Sequence, residues 1–243
     1  MNGEGVCALV GVVGGAGTTR LTLEYGATLA RDGRSVAVVD TAYATQGLST
    51  AVSGPIGTDV TAAVTEQRPL ADAAVDLDLD VPGRVVVAPA RAPFERFSRA
   101  MTSACARRLA EGLATAAREY DHVLVDVAPV ATNPTVAAVT AADRVVAVVP
   151  DSQRGADALV RTRDRLADID AAVDAVVATE AEDKPLVEAA DATVPTSETT
   201  SLPDAPVAVE PSEFATAVGA AVTATLDVDL DLETASSSLL DYF

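Results

Sequence analysis

Cys7-Ala8-Leu9-Val10-Gly11-Val12-Val13-Gly14-Gly15-Ala16-Gly17-Thr18-Thr19-Arg20 is the stretch on which the reading of this chain turns. An apolar, β-branched run ends in four glycines within seven residues, Gly11 to Gly17. Leu21-Thr22-Leu23-Glu24-Tyr25-Gly26-Ala27-Thr28-Leu29-Ala30 then repeats apolar residues at helical spacing. The pattern predicts strand, tight loop, helix. Glycine tolerates positive φ and lets bare N–H groups approach a ligand, while the following helix turns the positive end of its dipole to the same spot. Such a loop is built to hold an anion such as phosphate. The same glycines would also let a helix pack close on a sheet, and the sequence leaves both readings open.

Working outward, Ser35-Val36-Ala37-Val38-Val39 is a continuous apolar run of the kind buried in parallel sheets, and it delivers Asp40 to its carboxyl end. Val123-Leu124-Val125 does the same for Asp126, followed by Val127-Ala128-Pro129. Further strands are predicted at 84–89, 145–149, 173–178 and 205–209. An edge strand fits the alternation Asp76-Leu77-Asp78-Leu79-Asp80. Helices are predicted at 59–65, over one long span at 101–119, at 155–169, and at 211–225. Strands alternating with helices define an α/β chain with a mostly parallel central sheet flanked by helices. Ligands of such sheets sit at the carboxyl edge, where Asp40 and Asp126 are placed.

Glycine loop, Asp40 and the Asp126-x-x-Pro129 turn together resemble the ParA/MinD-type P-loop ATPases, over roughly Val6 to Leu226. The family loop reads Lys-Gly-Gly-x-Gly-Lys-Thr-Thr; the match here is Val13-Gly14-Gly15-Ala16-Gly17-Thr18-Thr19-Arg20. Thr18 stands at the phosphate-binding lysine and Val13 at the lysine that reaches across the dimer. No realignment restores either, because Lys184 is the only lysine in the chain. Arg20 lies two positions past the lysine site, so on a helix turning about 100° per residue it points roughly 200° away. Loss of a charged hydrogen bond to phosphate forfeits about 1.5–3 kcal/mol while the backbone cradle stays.

The resemblance implies a set of roles. Gly14, Gly15, Ala16, Gly17, Thr18 and Thr19 would cradle the phosphates of ATP or ADP; Thr19, Asp126 and Asp40 would hold Mg2+. The family's Asp-x-Asp, whose second acid helps position water, is Asp40-Thr41-Ala42 here. Asp40 is therefore the one catalytic candidate, with a loop cap as its plain alternative. Residues 134–139 would continue the nucleotide-sensing switch, and the helix at 155–169 would help build a dimer face, with a second copy or a related ATPase as partner. Thr179 and Glu180 occupy the neighbourhood where relatives place an adenine-reading asparagine.

Composition bounds the rest. Thirty-six acids against 17 basic residues give a net charge of −19, which with 3% aromatics resembles a salt-adapted protein. The acidic balance argues against direct nucleic-acid binding, for which a basic stripe would be the footprint. Without a long uncharged apolar run or a basic leader, the expectation is a cytoplasmic chain with no membrane contact. Cys7 and Cys105 lack ligand spacing and read as buried thiols. His122, the sole histidine, reads as a strand-end packing residue. Arg91, Arg96 and Arg99 cluster after the strand at 84–89, either to supply charge to phosphate or to form surface salt bridges.

The expected organisation is one P-loop domain over 1–226 and an acidic tail over 227–243. The tail carries no Lys or Arg, so lipid anchoring is disfavoured; it would fray, pack back on the body, or dock on a protein partner. Three functions compete. One is a nucleotide switch with weak or lost ATPase activity in a regulatory, partitioning or cell-division-type role. A second is a nucleotide-free scaffold that keeps the fold. A third is an NAD(P)-binding short-chain dehydrogenase, suggested by Gly11-x-x-x-Gly15-x-Gly17 but lacking the Tyr-x-x-x-Lys pair, since Glu180 precedes Lys184 at that spacing.

Overall fold

The computed structural model describes residues 5–182 and 184–232. Its strands are β1 (Gly5–Gly11), β2 (Ser35–Asp40), β3 (Val75–Leu77), β4 (Arg84–Ala88), β5 (His122–Val127), β6 (Arg144–Pro150), β7 (Ala175–Thr179) and β8 (Ala192–Val194). The helices are α1 (Thr18–Arg31), α2 (Val60–Glu66), α3 (Phe94–Ala100), α4 (Ser103–Ala116), α5 (Asn133–Thr140), α6 (Gln153–Ala167) and α7 (Glu213–Leu226). One sheet runs in the order β3-β4-β2-β5-β1-β6-β7-β8, parallel except for β3, which pairs antiparallel with β4. Its valine-rich strands are buried on both faces. Leu21, Leu23, Tyr25 and Leu29 of α1, with Val218 and Val222 of α7, cover one face, packing on Leu9, Val38, Leu124 and Val148. Val64 of α2, Leu109 and Leu113 of α4, Ala138 of α5 and Leu166 of α6 cover the other.

That strand order removes the dehydrogenase alternative. Dinucleotide folds set the first two strands side by side. Here β5 lies between β1 and β2.

Three local expectations are corrected. The helix expected over 101–119 is α4 with tighter bounds, Ser103–Ala116: the Thr102 side chain accepts from the Cys105 N–H at 3.4 Å to start it, just after α3 ends at Ala100. Residues 205–209 form no strand. The N–H groups of Val207 and Ala208 go to the Glu24 carboxylate (2.9 and 2.8 Å) instead of a neighbouring strand, and the last strand, β8, comes earlier, at Ala192–Val194. The alternation at 76–80 does mark an edge strand, but pairing stops at Leu77. His122 is buried as the first residue of β5, and both cysteines are buried free thiols.

After α7 the described part of the tail packs back. Val228 is buried in the α1/α7 cluster, and the Asp231 N–H donates to Asp32 Oδ1 at 2.8 Å. Residues 233–243, with their apolar end, lie outside the described residues. Among the described residues no helix is long and apolar enough to cross a membrane.

Candidate functional site

β1 ends at Gly11, and the chain loops over its carboxyl end before α1 begins at Thr18. Gly15 (φ +80°) and Gly17 (φ +76°) adopt the left-handed region that favours glycine. A Cβ placed on Gly14, Gly15 or Gly17 would meet nothing within 4 Å. On Gly26, by contrast, it would stand 3.2 Å from Val38 Cγ2. Close packing of helix on sheet is therefore the work of Gly26. The loop glycines face open space, as an anion cradle requires, and Gly14, Gly15 and Gly17 are exposed. Ala16 is buried, and its carbonyl accepts from Thr179 Oγ1 at 2.9 Å, so the end of β7 braces the loop.

Thr18 leaves the lysine position short of reach. A Cβ on Gly11 would lie 2.5 Å from Thr18 Oγ1, so the threonine folds back against the end of β1. Thr19 behaves differently. Its hydroxyl donates to Asp126 Oδ2 at 2.7 Å, joining the first turn of α1 to the end of β5.

Asp40 lies beside Asp126, its register partner on adjacent strands. Both are buried. Burial pushes the Asp126 carboxyl up to about 6, against the opposing hydrogen bond from Thr19. Burial, and then the charge of Asp126, push Asp40 well above the usual carboxylate range. Asp40 also accepts from the Ala42 N–H (2.8 Å) and the Ala90 N–H (3.3 Å), one bond to each oxygen. It thus caps two loops, as its plain alternative holds.

Two neighbouring buried acids are poorly compensated without a cation. Among the described residues no group of three or more His, Cys, Asp or Glu gathers for a metal. A set of one hydroxyl and one or two carboxylates suits Mg2+, which keeps waters and substrate phosphates as its remaining ligands. The residues present therefore fit Mg2+ with a phosphate, and do not fit a metal held by protein alone.

The arginines are committed elsewhere. Arg20 donates to the Thr199 carbonyl and to Ser197 Oγ (3.1 Å), pairs with Glu24 (3.2 Å), and lies 5.8 Å from the Phe214 ring centroid. It faces away from the cradle, as its helical angle predicts. Arg96 pairs with Asp59, the N-cap of α2, and donates to Thr61 Oγ1 at 3.0 Å; Arg99 is 3.9 Å from Glu95. Arg96 and Arg99 are thus salt-bridge partners, while Arg91 stays exposed after β4.

One residue was passed over in the sequence. Glu24 is fully buried on α1, and one of its oxygens holds the loop at 207–208. Burial raises its pKa. The available signal was an acid inside the apolar run Leu23-Glu24-Tyr25.

A glycine cradle at the end of the first strand, over a hydroxyl and two strand-terminal acids, defines a P-loop type of nucleotide-binding architecture. Residues 5–174 match the model of an AAA domain family. The chain belongs to that AAA domain family. Among solved structures it is similar to the cell division ATPase MinD of Pyrococcus furiosus, 18% identical over 90% of this chain and 97% of that one, with a TM-score of 0.74. McdA of Cyanothece, solved as an ATP complex, is 17% identical over 96% and 100% of the two chains, also at 0.74. A MinC:MinD complex of Aquifex aeolicus matches at 18% identity over 94% and 98%, again at 0.74. At these identities the likeness speaks for the fold. No curated protein sequence matches the chain.

Proposed function

We propose that this chain is a nucleotide-binding switch that has lost most or all of its hydrolytic power and acts in a regulatory or spatial-organisation role, of the partitioning or cell-division type. Gly14, Gly15, Ala16, Gly17, Thr18 and Thr19 hold the phosphates; Thr19 and Asp126 hold Mg2+, with Asp40 behind them. Mg2+ supplies charge neutralisation between the phosphates and the buried acids. The observation that carries the reading is the open cradle standing over the Thr19–Asp126 hydrogen bond.

Weak turnover follows from what the side chains lack. No lysine reaches the phosphates, Arg20 is turned to the loop at 197–199, and both oxygens of Asp40 accept backbone N–H groups. ATP and ADP are the nucleotides expected from the family, and a second copy or a related ATPase is the expected partner. The chain's acidity and scarcity of lysine fit a salt-rich habitat.

A thermal-shift panel in molar KCl tests the reading. Mg–nucleotide should raise the melting temperature and NADH should not. If no nucleotide and no tripolyphosphate has an effect, the nucleotide-free scaffold takes its place. That alternative is favoured by the absence of both loop lysines.

A further inference from the structure

Strands β2 and β4 are unequal on their two faces. Toward α1 and α7 they present Val36, Val38, Val85 and Val87, whereas toward α2 and α4 they present Ala37, Val39, Val86 and Ala88. In register, each alanine on this second side stands beside a valine, Ala37 by Val86 and Ala88 by Val39. The methyl groups that alanine lacks leave room. Over that floor lies a recess of about 510 Å³. Protein interiors leave few voids larger than a water molecule, and pockets for small ligands run to about 300–1,000 Å³, so this one is of ligand size.

Its walls are α2, with the single helical turn Leu70–Ala73 that follows it, and α4. Gly112 lets the two walls meet, since a Cβ there would stand 3.1 Å from Leu70 Cβ. The charged groups along the recess divide into engaged and open ones. Arg108 Nη1 donates to the Val64 carbonyl at 3.0 Å, tying α4 to α2, and Arg68 Nε pairs with Asp72 at 3.1 Å. Glu111 of α4 and Glu119 just beyond it line the same recess and are exposed. Among the described residues neither carboxylate has an ion-pair partner.

We propose that this recess binds a small molecule with an apolar body and a cationic amine head, the body resting on Ala37 and Ala88 and the head at Glu111 and Glu119. Size and lining call for the apolar body. The sign of the head follows from what the side chains leave over, because both arginines are engaged and both carboxylates are open. An anionic head would meet two negative charges, on a chain whose net charge of −19 already repels it. Selectivity for the head is modest, as exposed ion pairs are; affinity comes from the body.

Calorimetric titration of the full chain in molar KCl tests this, with butyl-, hexyl- and octylammonium, octanol and octanoate as probes. Binding should be one to one, and each added methylene should tighten it about threefold to fourfold. Octylammonium should bind about threefold to tenfold more tightly than octanol, with octanoate weakest. Joint replacement by Glu111→Gln and Glu119→Gln should abolish the preference for ammonium over octanol and keep the dependence on chain length. Ala37→Val gives the floor the valine of the opposite face and should weaken octylammonium about tenfold or more. Thr115→Trp, at an exposed helical position lining the recess, should do the same from outside if the core variant does not fold. Affinity that ignores chain length, octanoate matching octylammonium, unchanged affinity in the filled variant, or no binding of any probe overturns the proposal.

Discussion

The cradle and the loops after β8 are built on opposite principles. At the cradle the shape belongs to the backbone: glycines at positive φ, open space where side chains would stand, and one hydroxyl bonded to one acid. At those loops the shape belongs to side chains, since Arg20 holds the loop at 197–199 and Glu24 holds the one at 207–208. Geometry written in the backbone survives the loss of both lysines. Geometry written in side chains would not survive the loss of one residue.

The largest expected effect breaks the side-chain half. Glu24→Ala strands two N–H groups and the Arg20 charge, and should cost about 3–5 kcal/mol in urea unfolding, with Glu24→Gln recovering part of the loss. An unchanged midpoint would end the contrast. Next comes pH, through the acids under the cradle. Asp126 titrates near 6 when folded and near 3.9 when unfolded, so between those values the native state keeps a proton that the unfolded chain has lost. Its contribution to stability is full below about pH 3.9 and is lost as pH rises to about 6, at about 1.4 kcal/mol per unit. Asp40 extends the same trend upward. Asp126→Asn should flatten the slope, and Mg2+ with tripolyphosphate should stabilise more at pH 8 than at pH 5.

Smaller effects sharpen the backbone half. Thr18→Lys should tighten tripolyphosphate binding by about 1.5–3 kcal/mol, roughly tenfold to a hundredfold, with little change in unfolding free energy. No gain by calorimetry would mean that the loop does not hold phosphate as drawn. Gly17→Ala is the mildest: positive φ costs about 1 kcal/mol in thermal unfolding. Phosphate binding should persist, because the added Cβ meets nothing within 4 Å.

What was legible in the sequence follows the same division. Continuous valine runs ending in Asp40 and Asp126 marked the buried parallel strands and the edge they serve, because a strand covered on both faces admits little else. The glycine spacing marked the cradle. Contacts between distant segments were not legible. Nothing local announces that Arg20 meets Ser197, or that Glu24 meets residues 207–208, and so the segment at 205–209 read as a strand when its N–H groups were already spoken for. The single helix read over 101–119 stands as α4, with only its ends trimmed. The Thr102 cap marks its start.

The docking of α7 on α1 has a practical corollary. Tyr25 is wholly enclosed there, its phenol 3.0 Å from Thr225 Oγ1, and the chain contains no tryptophan. Tyrosine therefore dominates the near-ultraviolet absorption, and enclosure lifts the ionisation of Tyr25 and Tyr43 above the ordinary phenol range. Alkaline difference spectra thus carry a built-in gauge of whether the closing helix is seated, with no label attached.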